Sequence, residues 1–360
     1  MRFTVHPTLD ILRELYTESR HPRETFRRTV PLLLDPGTAV EALYRARGVH
    51  GNRWPALEVM ELVGCDGMEA CAGAQGWGLF NPARSLEASA WEFTRYEALD
   101  YPAQVSAVLE RLQRLLTLPD AEGDCLLLPC DSANRSLMLF GHGLSVYGAV
   151  PGLILLRLWP GGGVQERLPA ALARAWAQTL RHLVHGRGTL RNLADFLVME
   201  GIAAALTRRL QPDLPRPWLA CFRRPVGWER ELTRIARRWY DCPDYSDVVT
   251  NMYGARVVMG RKRPPPARPL DADTLALCGA VLADMLDDDR PLTHARALYG
   301  DGLPALNGHP GAGMPDWAGF ELGYRLVETW LRRRGATLAD ALRAPSAQII
   351  AESRFLESPL

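Results

Sequence analysis

The sequence predicts an α+β fold, mostly helical, with one small mixed sheet. Two observations carry that expectation. Apolar residues recur with helical spacing through most of the chain, and short apolar runs broken by glycine and proline are confined to its centre. The 360 residues are 47% hydrophobic and 23% charged, enough to bury a core in one large domain or about two.

The elements follow in order. Thr8 caps a helix marked by Leu9, Leu12, Leu15 and Tyr16, and residues 38–47 form a second, short one. Residues 64–78 are glycine-rich and read as a loop, and residues 85–96 alternate weakly, as a strand would. Residues 101–118 form an amphipathic helix whose apolar face holds Val105, Val108, Leu109, Leu112, Leu115 and Leu116. Three short strands come next, at 124–129, 135–140 and 153–159, with 141–152 as a glycine-rich connection and Gly161-Gly162-Gly163 as a stop. Two long helices follow at 169–185 and 189–210, then helices at 228–240, 271–286, 291–299, 317–334 and 338–353. Gly335 ends one of these, and Thr337 caps the next.

Composition excludes several classes. Net charge is +1, so no basic field favours nucleic acid. A basic run, Arg261-Lys262-Arg263 before three prolines, reads as a solvated connector, with a partner contact as the alternative. The apolar runs fall well below the roughly 20 residues that span a bilayer. Seven cysteines with no C-x-x-C spacing, and no apolar leader in residues 1–10, lead to the expectation of reduced thiols and a cytoplasmic protein. No G-x-S-x-G elbow or Walker loop occurs, and Asp287-Asp288-Asp289 lacks calcium-loop spacing.

The stretch richest in chemistry is 176–209. One helix carries His182 and His185, and the next carries Glu200 followed by Gly201. Two imidazoles on one helix face with a carboxylate from the next is the ligand layout of a zincin. There H-E-x-x-H sets the ligands one turn apart, and its glutamate polarises the metal-bound water.

From about Tyr101 to the C-terminus the chain resembles the predicted bacterial zinc-dependent proteases, a zincin-like family. Four pieces carry the resemblance, in order: CLLLPCDSANRSLMLFGHGLSVYGAVPGLILLRLWP, ARAWAQTLRHLVHGR, TLRNLADFLVMEGIAAAL, and MPDWAGFELGYRLVETWLRRRGATLADALRAPSAQIIAES. The resemblance implies a sheet packed on a zincin-like helix pair, a cleft beside the glycine-rich strand region, and a metal motif on the second piece. With the helical pattern of the first third, three regions are expected: a helical 1–100, a zincin-like core at 101–220 and a helical lobe at 221–360.

Matched to the family motif, the chain reads Arg181-His182-Leu183-Val184-His185. Arginine stands where the first ligand would be, and histidine where the base would be. A guanidinium cannot ligate zinc and suits a carboxylate, so an Arg181–Glu200 pair is expected in place of the metal. The cleft is then lined by Arg181, His182, His185 and Glu200. Tyr324, in the family's Gly-Tyr position, either lines it as an oxyanion donor or belongs to a core stripe with Phe320, Val327 and Leu331. The expected function is a non-catalytic relative of the proteases, without cofactor, that binds a peptide or protein. The alternative is a zinc hydrolase rebuilt on His182, His185 and Glu200, with Asp195 as a candidate base.

Overall fold

The computed structural model describes residues 2–9, 86–116, 118, 122–129, 143–160, 162–186, 189–213, 270–300, 313–315 and 317–356. The elements expected within 10–78, 135–140 and 228–240 and the 261–263 run lie outside them.

The sheet has four strands in the order β1-β2-β4-β3: β1 (Arg2–Pro7), β2 (Glu122–Pro129), β3 (Leu144–Val150) and β4 (Leu153–Leu158). β1 and β4 both run parallel to β2, while β3 returns antiparallel to β4, so the sheet is mixed as expected. Two strands depart from the sequence reading. β3 occupies what reads as a glycine-rich connection, its glycine at 148 set within a mostly apolar strand. β1 lies in the region expected to be helical, and its partner is more than a hundred residues away, beyond local pattern. Residues 2–7 therefore belong to the same sheet as the core.

Register aligns Val5, Cys125 and Ile154 in one row and Pro7, Leu127 and Leu156 in another. Cys125, Leu127, Ile154 and Leu156 are buried in the main core with Trp176, and Val5 packs against its margin. Each fully buried aliphatic side chain of this kind contributes about 1.5–3 kcal/mol before entropy is counted.

Helix α1 (Leu86–Leu99) replaces the strand expected there. In α2 (Tyr101–Leu115), Val105, Val108, Leu109 and Leu112 are buried as the periodicity predicts, and the Asp100 carboxylate accepts from the Ala103 N–H.

Helix α3 (Gly162–His185) starts a full two turns before its expected beginning. Gly162 and Gly163 enter the helix rather than stop the strand, and Pro169 sits inside it, forgoing one backbone bond. Its middle is small and buried: Ala173, Ala175 and Ala177 flank Trp176 and are almost fully enclosed. That lets β3 on one side and α4 (Leu193–Leu210) on the other approach α3 closely.

The remaining helices are α5 (Ala272–Ala283), α6 (Pro291–Tyr299), α7 (Ala318–Arg334), α8 (Leu338–Arg343) and α9 (Ser346–Ser353). The last two were expected as one helix; Pro345 separates them. Gly335 ends α7 with φ 61°, and Thr337 opens α8 with a reciprocal cap to Asp340. α4 and α7 cross at glycine. A Cβ on Gly201 would lie 2.2 Å from the Gly323 carbonyl oxygen, and one on Gly323 would lie 2.3 Å from that of Leu197. The Glu-Gly and Gly-Tyr pairs noted in the sequence thus meet, and their glycines serve helix packing. No described helix is long and apolar enough to cross a membrane.

Candidate functional site

Glu200 is the centre of the site. It projects from α4 and is 1% exposed. A buried carboxylate needs a positive partner or several donors, and this one has both. The partner is Arg174 on α3, not Arg181. Arg174 Nε lies 2.9 and 2.8 Å from the two Glu200 oxygens, and Nη2 lies 2.7 Å from Oε1. This is a forked, charge-assisted pair. Gln178, one turn further along α3, donates to the same Oε1 at 3.0 Å, and its own oxygen accepts the Gly148 N–H of β3 at 3.2 Å. Arg174 Nη2 also donates to the Tyr299 hydroxyl at 2.7 Å.

Tyr299, Trp317 and Phe320 pack ring against ring at 5.2–5.3 Å. The guanidinium carbon of Arg174 lies 5.1 Å from the Phe320 ring centre and 5.7 Å from that of Tyr299, so π faces add to its stabilisation. Burial alone would lower the Arg174 pKa, but Glu200 and Tyr299 outweigh it and hold the pKa above its usual value. Arg174 therefore stays a cation.

The expected Arg181–Glu200 pair does not form. Arg181 is fully buried and turns to the C-terminal end of α8. Its Nη1 donates to the carbonyls of Ala341 at 2.9 Å and Leu342 at 3.3 Å, and its Nη2 to the Ala344 carbonyl at 3.3 Å and to Ser346 Oγ at 2.8 Å. The physical reason is that these last-turn carbonyls have no helical partner and carry the negative end of the dipole. Ser346 passes the link to Asp195 Oδ1 at 2.5 Å. Burial lowers the Arg181 pKa to about 10, against the opposing pull of Asp195.

His185 Nε2 donates to the Leu342 carbonyl at 2.8 Å. His182 is buried, and its Nδ1 has no hydrogen-bond partner. Burial first, then the positive charges of Arg181 and His185, push its pKa down to about 4. His182, His185 and Glu200 therefore do not converge. Among the described residues no three His, Cys, Asp or Glu side chains are placed to hold a metal ion. Asp195 is no free base either: its Oδ2 accepts the Arg191 and Asn192 N–H groups and its Oδ1 accepts from Ser346. The described residues do not fit a zinc ion: the Glu200 carboxylate is already held by a guanidinium on both oxygens.

Tyr324 packs, partly buried, against the main core. The tyrosine at the site is Tyr299, which sequence reasoning missed, as it missed Arg174 and Gln178. Arginine, glutamine and tyrosine match no ligand type, and their shared target lies on another helix.

The class these features define is an α+β protein in which a buried helix pair is backed by a small mixed sheet. A family model described as predicted Zn-dependent protease (DUF2268) matches residues 103–351. The chain belongs to this family. It is also 21% identical over 222 residues to the uncharacterized protein YjfC of Bacillus subtilis (strain 168), covering 61% of this chain. The match spans 58% of that protein's length. No solved structure matches the chain.

Proposed function

We propose that this chain is a non-catalytic member of its family, one that binds a peptide or protein rather than cutting it. The observation that carries the reading is the Arg174–Glu200 fork. A carboxylate with both oxygens bonded to a guanidinium would have to give up that pairing to ligate a metal, and a permanent cation beside it repels one. Arg181 and His185 are turned to carbonyls at the end of α8 instead. Peptide binding is supported by β3. It ends the sheet order among the described residues, and an extended peptide adds to such an edge through main-chain bonds.

Elemental mass spectrometry after incubation with zinc, paired with a casein-cleavage assay, tests the catalytic half. Zinc near zero per chain and no cleavage are expected. Cleavage that a chelator stops and Glu200→Gln abolishes would overturn the reading. Selection of displayed random peptides on the immobilised chain tests the binding half: recovery of a consensus sequence is expected, and its absence counts against a peptide ligand.

A further inference from the structure

Arg174 and Gln178 stand one turn apart on α3, at i and i+4, and both reach Glu200 on the next helix. A zincin places its two histidine ligands with that spacing, its base at i+1, and its third ligand on a later element. We propose that the family's metal position falls at Arg174, Gln178 and Glu200, with Ala175 in the place of the base, and that the Arg174 guanidinium stands where the metal ion would. The Arg181–His185 match is then two turns out of register. This deepens the non-catalytic reading and rests on it.

Four observations support the placement. Glu200, the acid the family motif supplies on the following helix, faces 174 and 178. The phenol of Tyr299 accepts from the same guanidinium, so a tyrosine hydroxyl stands at this position. β3 passes directly over it. Gly148 bonds to Gln178, and a Cβ there would lie 2.3 Å from the Ala175 carbonyl oxygen, so strand and motif helix are as close as backbones allow. The acid that acts on Arg181, His182 and His185 is Asp195, which caps α4 and bonds Ser346 with both oxygens engaged.

The substitution has a simple electrostatic logic. Removing a divalent cation from a buried glutamate leaves an uncompensated charge, which is strongly destabilising. An arginine at the first ligand position restores the positive charge and satisfies both oxygens. It also holds α3, α4 and α6 together, and Gln178 adds β3, as a metal would.

The test is to rebuild the site in the full chain. The paired change Arg174→His with Gln178→His supplies two imidazoles one turn apart, facing Glu200. Zinc alone is the probe. Zinc content is expected to rise from near zero to about one per chain, with a higher Tm on zinc addition, and adding Glu200→Gln should abolish both. In a separate chain Arg181→His places two imidazoles at the other register, with His185, and is expected to stay zinc-free. Zinc taken up by that chain instead, or by neither, would overturn the placement. If the paired variant is unfolded without metal, zinc should restore its circular dichroism; a chain that stays unfolded counts against the proposal. Stoichiometric zinc in the unaltered chain would sink the non-catalytic reading by itself, and the placement too if His185→Ala releases it.

Discussion

Lowering the pH from 7 to 5 is expected to cost the folded state about 2 kcal/mol through the single side chain His182. Its imidazole is buried on α3 with Nδ1 unpartnered. Burial, then Arg181 and His185, depress its pKa from 6.5 to about 4, and Asp195 offsets them only in part. The unfolded chain therefore binds a proton as the pH falls below about 6.5, while the folded chain does not until about 4. Stability is unaffected above the upper value, falls through the window, and levels off below the lower one. The whole window is worth about 3.4 kcal/mol, from 2.5 pKa units at about 1.36 kcal/mol each. At pH 5 somewhat more than half of it has been lost. The assay is urea unfolding of the natural chain and of His182→Leu at both pH values. Leucine removes the titration and the unpaired nitrogen together, so it should be near neutral at pH 7. The variant should lose about 2 kcal/mol less than the natural chain on going to pH 5. Equal losses in the two chains would refute the argument, since the other titrating groups are common to both.

Three further predictions follow from the same contacts. Arg181→Met should destabilise by about 3–5 kcal/mol in urea unfolding, because it orphans buried carbonyls at the end of α8; Arg181→Lys should recover only part, since an ammonium cannot fork to Ala341, Ala344 and Ser346 together. A double-mutant cycle on Arg174→Met and Glu200→Leu should show each single change costing about 3 kcal/mol or more, and the double change costing less than their sum; strict additivity would mean the fork contributes nothing. Gly201→Ala should lower Tm by several degrees at least, because its methyl would strike the α7 backbone, whereas the exposed Leu277, at 67%, should tolerate alanine with a change near zero.

Much of the helical framework was legible in the sequence. The apolar faces of α2 and α7, the stop at Gly335 and the cap at Thr337 are local signals, set by side-chain period and backbone preference within a few residues. β2 and β4 are short apolar runs between breakers, and they too are read locally. α1 was misread because its apolar residues show little helical periodicity, and β3 because a glycine needed for close packing on Ala175 looks like a turn signal.

The site divides differently. The sequence by itself determined that α3 and α4 are adjacent helices, that Glu200 rides the second, and that an intact H-E-x-x-H is absent. It could not choose the register. Arg181-His182-Leu183-Val184-His185 holds two residues of ligand type and draws the eye; Arg174 and Gln178 hold none. Only the antiparallel docking of α4 on α3 decided which turn of α3 faces Glu200. Local preference fixes where a helix begins and which stripe is apolar, but not how far one helix slides along another. That is set by contacts distant in sequence: the Gly201–Gly323 crossing, Gly148 against Ala175, and the grip of Arg181 on the end of α8.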